Sequence, residues 1–296
     1  MSLNNGYLYR NQVAPADAGL DVLAYHSKRF THSSRADWRY RIDGGQVRLN
    51  GSVVDSDRIL AVGDKLEFYR HPWVEPETPR EFRLVYEDEE VLVVDKPAGL
   101  QVLPAGLFLN NTLLNLVRSS STSRAESSPV HRLGRGTSGL VLFGKHSAAR
   151  ACLSAQFQNF RATKTYLARV RGTELPLSCV ARYPIGPRTH GPMRIFCADP
   201  NGKASITRLR VLARDPTAGS SLVAAQPITG RADQIRIHLA ACGAPLVGDP
   251  LFGVGGIPTS DARPGEGGYF LHATALSVQH PSTGRRLKLR SHPDWL

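Results

Sequence analysis

The stretch HRLGRGTSGLVLF, residues 131–143, is the most informative part of this chain. Its second half, Leu140 to Phe143, is a continuous apolar run, which predicts a strand buried on both faces of a sheet. Its first half places Gly134, Gly136 and Gly139 at the G-x-G-x-x-G spacing of a dinucleotide-binding loop. Such a loop needs a helix after it and an acid about 20 residues further on. A strand follows here and the acid is missing, so we exclude a nucleotide-dependent oxidoreductase.

The sequence around this stretch is free of acidic residues. No Asp or Glu occurs from Ser127 to Thr173, and the basic residues of the same segment are Arg132, Arg135, Lys145, Arg150, Arg161, Lys164, Arg169 and Arg171. The whole chain carries a formal net charge of +12. A concentration of positive charge predicts a phosphate backbone as partner. We expect this partner to be a nucleic acid; the alternative is a basic surface that is merely solvated.

Composition and cysteine spacing limit the class of protein further. No apolar run reaches the roughly 18 residues of a membrane-spanning helix, and the first residues, MSLNNGYLYRNQ, lack the pattern of a secretory signal. Cys152, Cys179, Cys197 and Cys242 form no C-x-x-C pair, so the sequence predicts neither a zinc site nor a redox motif. We therefore expect a cytoplasmic protein, a monomer, that needs no metal or organic cofactor.

A proline-rich segment divides the chain. Residues 76–82 are predicted to link a small α+β domain, residues 1–75, to a large domain, residues 83–296. In the small domain we expect a helix at 21–30 and a second helix that opens at Ser33-Ser34-Arg35 and is ended by Gly44-Gly45. In the large domain, strands outnumber helices and show no regular βαβ alternation. This predicts an α+β fold around a mixed or antiparallel sheet.

Five ordered blocks resemble the RluA-type pseudouridine synthase family. The blocks are Asp95 to Leu100, His131 to Leu140, Lys164 to Val170, Thr229 to Ala240 and Gly248 to Gly253, and a tail with Leu271-His272-Ala273 and His280-Pro281 also fits. The small domain resembles the S4 RNA-binding module through its two helices and its G-G-x-V-x-x-N-G step at 44–51. An unrelated α+β lobe is the alternative for the small domain.

The resemblance implies an enzyme that isomerises uridine to pseudouridine in structured RNA, rRNA or tRNA. It implies that Tyr166 stacks on the flipped base and assists proton removal, and that Arg236 pairs with a catalytic carboxylate. It also implies that the partner is RNA and not DNA, and it implies two groups of RNA-binding residues. In the large domain these are Arg132, Arg135, Lys164 and Arg231; in the S4-like domain they are Lys28, Arg29, Arg35 and Arg39.

The sequence departs from the family at its central position. Gly134 stands where the family places the catalytic Asp, and glycine has no side chain to act as nucleophile or base. Of the acids within family blocks (Asp95, Asp233 and Asp249), Asp233 is the candidate substitute, because it lies three residues before Arg236. The alternative is a structural role, in which Asp233 complements the dipole of the helix that it begins and forms an ion pair with a neighbouring residue.

The missing acid leaves two functional hypotheses open. One is an active synthase, and the other is a catalytically silent RNA-binding protein on the same scaffold. If the Arg236 side chain is aimed at position 134, the pocket would contain an underpaired cation.

Because the basic segment predicts binding to phosphates, RNA affinity should fall steeply with salt. We expect a plot of log affinity against log salt concentration with a slope of several released counterions. Filter binding at increasing salt measures this slope. An affinity that stays constant between low and moderate salt would remove the argument from charge.

Overall fold

The computed structural model describes residues 2–190, 193–259 and 267–296. The chain forms two compact units, of which the first ends at Glu75 and the second begins at Pro76. Among the described residues, no helix has the length and apolar character needed to cross a membrane.

The first unit is built from two helices and two small sheets. Its elements are β1 (Ser2–Leu3), β2 (Tyr7–Gln12), α1 (Val22–Arg29), α2 (Arg35–Asp43), β3 (Val47–Leu49), β4 (Ser52–Val53), β5 (Lys65–Arg70) and β6 (Val74–Glu75). Four strands pair in the order β2-β5-β3-β4, and β1 pairs with β6. Both predicted helices are present, because Asp21 caps α1 and a reciprocal Ser34–Asp37 capping box begins α2.

The second unit is a large mixed sheet with three helices. Its elements are β7 (Arg83–Glu87), β8 (Val91–Lys96), α3 (Leu113–Ser119), β9 (Ser128–Pro129), β10 (Ser138–Gly144), α4 (Ser147–Gln158), β11 (Thr163–Arg171), β12 (Ser178–Ala181), β13 (Ile185–His190), β14 (Met193–Ala198), β15 (Thr207–Asp215), β16 (Ser220–Pro227), α5 (Gln234–Ala241), β17 (Leu271–Gln279) and β18 (Arg286–Arg290). Within the described residues, ten strands share one sheet in the order β12-β15-β16-β11-β17-β10-β8-β7, with β18 beside β17 and β9 beside β10. The predicted α+β fold with a mixed sheet is confirmed.

Strand β10 lies at the centre of this sheet, as its apolar run predicts. It is antiparallel to β8 and parallel to β17, and every residue from Gly139 to Gly144 is buried. The contact with β17 requires glycine, because a Cβ on Gly139 would lie 2.5 Å from the backbone of Ala273. The parallel pairing therefore holds the loop before β10 against the start of β17.

Alternate side chains of the central strands fill two cores, one on each face of the sheet. Val141 and Phe143 pack with residues of α3 and α5, whereas Leu140 and Leu142 pack with α4. Helices α5 and α4 thus cover opposite faces. The loops that lead into or out of them approach each other at the ends of β10 and β11.

Candidate active site

A cavity of about 570 Å³ opens in the second unit. Its walls come from the loop before β10, the end of α4, the start of β11 and the loop before α5. Four residues that the sequence analysis singled out line it together: Gly134, Tyr166, Asp233 and Arg236. A volume of this size is within the range of small-ligand sites, so the cavity could hold a single extruded nucleotide.

The first residue of α5, Gln234, anchors the helix to the sheet. Its side-chain oxygen accepts hydrogen bonds from Thr229 Oγ1 at 2.7 Å and from Arg231 N at 3.0 Å. Its amide nitrogen donates to Ile206 O and to Thr207 Oγ1, at 3.0 and 2.9 Å. Gln234 is buried, and all of these bonds tie the loop before α5 to β15. Residues 233 and 236 on either side are therefore held in fixed positions.

Arg236 is the charged centre of the site and is almost fully buried, with 4% of its side chain exposed. Its Nε and Nη2 donate to the two carboxylate oxygens of Asp249, both at 2.8 Å. Its Nη1 donates to Asp233 Oδ1, also at 2.8 Å. Burial by itself would lower the pKa of Arg236, but the Asp249 hydrogen bonds and the two carboxylate charges outweigh it and raise this pKa above its usual value.

The Arg236 guanidinium is therefore not underpaired. The physical reason is that a buried guanidinium requires compensating charge, and Asp249 supplies it in a bidentate pair. Asp249 itself is 1% exposed and also accepts hydrogen bonds from Leu251 N and Phe252 N. The Asp249 carboxylate is therefore buried and already hydrogen-bonded within the protein, so it is not available to a substrate.

Asp233 is placed differently. It precedes α5 in the left-handed conformation, with φ +52°, and its side chain makes no capping hydrogen bond to the helix. It forms an ion pair with Arg236, as expected if its role is local pairing. However, 32% of its side chain is exposed and it lines the cavity. Within the described part of the chain, its second oxygen, Oδ2, has no hydrogen-bond partner.

Tyr269 occupies the space beside Gly134. Its ring stacks on the Arg236 guanidinium at 4.3 Å, and its hydroxyl is hydrogen-bonded to Thr137 Oγ1 at 3.1 Å. A Cβ on Gly134 would lie 3.2 Å from this hydroxyl, and one on Gly136 would lie 2.8 Å from the ring. The glycines that mimic a dinucleotide loop thus form a slot for a tyrosine ring. Sequence reasoning missed Tyr269, which is 132 residues away from Thr137.

Tyr166 lies on β11, is 8% exposed and lines the cavity. Burial raises its pKa to about 12, so the phenol is protonated at neutral pH. Its hydroxyl has no hydrogen-bond partner among the residues that the structure describes. The ring can therefore stack, and the hydroxyl can donate to a bound base.

The basic residues of the large domain fall into two groups. Arg132, Lys164 and Arg231 line the cavity, with Arg132 and Arg231 exposed. Burial lowers the pKa of Lys164, and its ammonium lies 5.6 Å from the centre of the Phe157 ring. Arg135 is not among the residues lining the cavity; its guanidinium lies over the Phe108 ring at 5.3 Å.

The four basic residues that the resemblance assigns to RNA binding in the first unit are exposed. Lys28 and Arg29 form ion pairs with Asp17 at 3.4 and 2.9 Å. Arg39 donates to Ser56 Oγ at 3.1 Å, and Arg35 at the start of α2 is exposed.

Several residues of the family blocks have structural partners. Asp95 pairs with Arg83 at 2.7 Å. His238 is the satisfied core histidine that the sequence favours, bonded to Thr207 Oγ1 and Tyr183 O, both at 2.9 Å. Burial lowers the pKa of His131 to about 3, and its Nε2 accepts a hydrogen bond from Leu142 N, so its ring is neutral.

Lys96 connects the segment after β8 to the loop that contains Gly134. It is completely buried, and its ammonium donates to the carbonyls of Pro97 and Leu100, both at 2.8 Å, and of Arg135 at 3.2 Å. Burial lowers the pKa of Lys96 to about 7. Nothing in the sequence of the Asp95-Lys96-Pro97 block predicts that Lys96 is buried.

Comparison with known proteins agrees with this site. The model of the RNA pseudouridylate synthase family matches residues 90–241. An uncharacterized RNA pseudouridine synthase of Synechocystis is 38% identical over 90% of this chain and 92% of its own length. RNA pseudouridine synthase 5 of Arabidopsis thaliana is 35% identical over 93% and 89%. The ribosomal large subunit pseudouridine synthase C of Vibrio vulnificus is 34% identical over 83% and 81%.

A solved structure has the same fold. The human RNA pseudouridylate synthase domain containing 1 superposes with a TM-score of 0.58 at 25% identity, and covers 75% of this chain and 88% of its own. The chain therefore belongs to the RNA pseudouridine synthase family, and its resemblance to the RluA type is confirmed. It is an isomerase that acts on uridine in RNA.

The two acids that pair with Arg236 should differ in their effect on stability. Asp249→Asn removes a carboxylate from a buried pair and should cost about 3–5 kcal/mol of unfolding free energy. Asp233→Asn changes a partly exposed acid and should cost less than about 1 kcal/mol. Urea unfolding of both variants measures the difference. Equal destabilisation would make Asp233 a structural residue.

Proposed function

We propose that this chain isomerises uridine in a structured RNA, rRNA or tRNA, and that Asp233 supplies the carboxylate that is absent at position 134. One observation carries the assignment. Among the described residues that line the cavity, Asp233 is the only Asp or Glu, and it shares this cavity with Gly134 and Tyr166. A second candidate function, silent RNA binding, would leave this acid only the structural role of pairing with Arg236.

The proposed geometry suits a reaction at the sugar. When the N1–C1′ bond breaks, its electron pair stays on uracil, and C1′ becomes electron-poor. The Asp233 carboxylate stabilises C1′, directly or through a covalent bond. Arg236 holds Oδ1 of this carboxylate, which orients it, and Oδ2 has no hydrogen-bond partner among the described residues.

The base must then turn and bond again through carbon. C5 of the detached uracil bonds to C1′, and the proton on C5 must leave. The Tyr166 phenol is protonated, since burial raises its pKa to about 12, and it therefore serves first as a stacking platform and a hydrogen-bond donor. We assign the C5 proton to the Asp233 carboxylate, after this carboxylate has separated from C1′. Uracil N1 takes up a proton in exchange, so that pseudouridine is formed with N1–H and the carboxylate is regenerated.

The RNA has to deliver its uridine out of the stack, because the reacting atoms are inaccessible inside a helix. We propose that Arg132, Lys164 and Arg231 around the cavity hold the neighbouring phosphates. We also propose that residues 1–75 are an S4-like RNA-binding domain. There the exposed Arg35 and Arg39 on α2 are the phosphate contacts, together with Lys28 and Arg29.

Asp233→Asn should abolish isomerisation while the protein still folds and binds RNA. We expect kcat to fall by at least about a hundredfold, the usual loss for a group that takes part in proton transfer. Pseudouridine formed in total RNA from cells that lack this chain is the readout. The matched control is Glu174→Gln, which removes an exposed carboxylate outside the cavity and should leave kcat unchanged. Retention of full activity by Asp233→Asn would refute the assignment.

A further inference from the structure

The rim of the cavity presents an aromatic side chain that the proposed reaction does not use. Phe160 follows α4, lines the cavity, and is 63% exposed. Phe157, on the same wall, already has its ring stacked against His131 at 4.9 Å between centroids. Phe160 is therefore the aromatic group of this rim that is available to an incoming molecule.

The backbone at Phe160 is as unusual as its exposure. Helix α4 ends in a Schellman motif, in which Arg161 N donates to Gln156 O at 2.8 Å and Phe160 N donates to Phe157 O at 3.3 Å. This motif requires a left-handed residue, and Phe160 has φ +56°. Glycine or asparagine is favoured there, and a bulky aromatic residue with positive φ is a genuine outlier.

Phe160 therefore combines two features that disfavour the folded protein: an exposed ring and a strained backbone. Strained residues persist where the surrounding structure holds them, and they cluster at functional sites. The Schellman hydrogen bonds fix the direction in which this side chain leaves the helix. The side chain is thus directed toward the rim of the cavity, which it lines.

The chemistry around the ring favours a nucleic-acid base. Exposed cations of Arg132 and Arg231 line the same cavity and would attract phosphates. When a uridine leaves its stack, the adjacent base exposes a face that was previously covered. An aromatic ring restores that stacking at any sequence, since every base has a flat face.

We propose that Phe160 stacks on the base next to the flipped uridine and so holds the RNA open for the reaction. This inference rests on the proposed reaction at the cavity, but it does not depend on which acid performs it. Phe160 contacts the flanking nucleotide, whereas Tyr166 contacts the uridine itself.

Substitution by asparagine tests the proposal because it separates stability from binding. Asn accepts the left-handed conformation, so Phe160→Asn should leave Tm unchanged or raise it. The same variant should bind RNA and form pseudouridine roughly 5- to 100-fold less efficiently, which corresponds to one lost stacking contact. Phe160→Tyr retains a ring and should stay within about twofold of the wild type.

The measurements are Tm, the Kd for total RNA from cells that lack this chain, and kcat/KM for pseudouridine formation in that RNA. Leu177→Asn is the matched control, because Leu177 is 67% exposed and is not among the residues lining the cavity; it should change neither Kd nor kcat/KM. A Phe160→Asn variant with wild-type Kd and kcat/KM would overturn the proposal. So would a large drop in Tm, which would give Phe160 a packing role.

Failure of the Asp233 assignment would look different. In that case Asp233→Asn keeps its activity, while Phe160→Asn still weakens RNA binding. A wild type that forms no pseudouridine would refute the proposed reaction, and the Kd of Phe160→Asn would still decide whether the ring contacts RNA.

Discussion

The site depends on one buried cation. The guanidinium of Arg236 lies inside the second unit, where an unpaired charge would be prohibitively costly. Asp249 meets two of its nitrogens and Asp233 meets the third. Tyr269 covers one face of the guanidinium and Phe252 lies at 4.9 Å from it. This arrangement orients α5, closes the loop that contains Asp249, and holds an acid at the edge of the cavity.

The absence of a side chain at position 134 is consistent with this arrangement. Because Arg236 already has two carboxylate partners, an acid at position 134 would meet no unpaired cation, and its Cβ would lie only 3.2 Å from the Tyr269 hydroxyl. These contacts support the proposal that Asp233 supplies the carboxylate of this site. Asp233 accepts a left-handed backbone conformation at the start of α5, which places its carboxylate beside Arg236 and not on the helix end.

Much of this molecule could be predicted from local sequence. The apolar run at 140–143 forms the central strand, the glycines at 44 and 45 end α2, and the family blocks place Tyr166, Arg236 and Asp233 around one cavity. The contacts that decide the chemistry could not be predicted, because they join distant segments. The pair between Arg236 and Asp249, the Tyr269 ring beside Gly134 and the burial of Lys96 all depend on tertiary packing. The left-handed conformation of Phe160 could not be predicted for another reason, because phenylalanine rarely adopts a positive φ.

The central claim is that the carboxylate of Asp233 acts on the sugar of the flipped uridine. A crystal structure of the wild-type protein with its RNA tests it most directly, if the target sugar carries a fluorine at the 2′ position to slow cleavage of the glycosidic bond. The account predicts that Asp233 Oδ2 lies within about 3.5 Å of C1′, a distance suited to attack, with uracil stacked on Tyr166. A different carboxylate at C1′, or Asp233 turned away from the sugar, would contradict it.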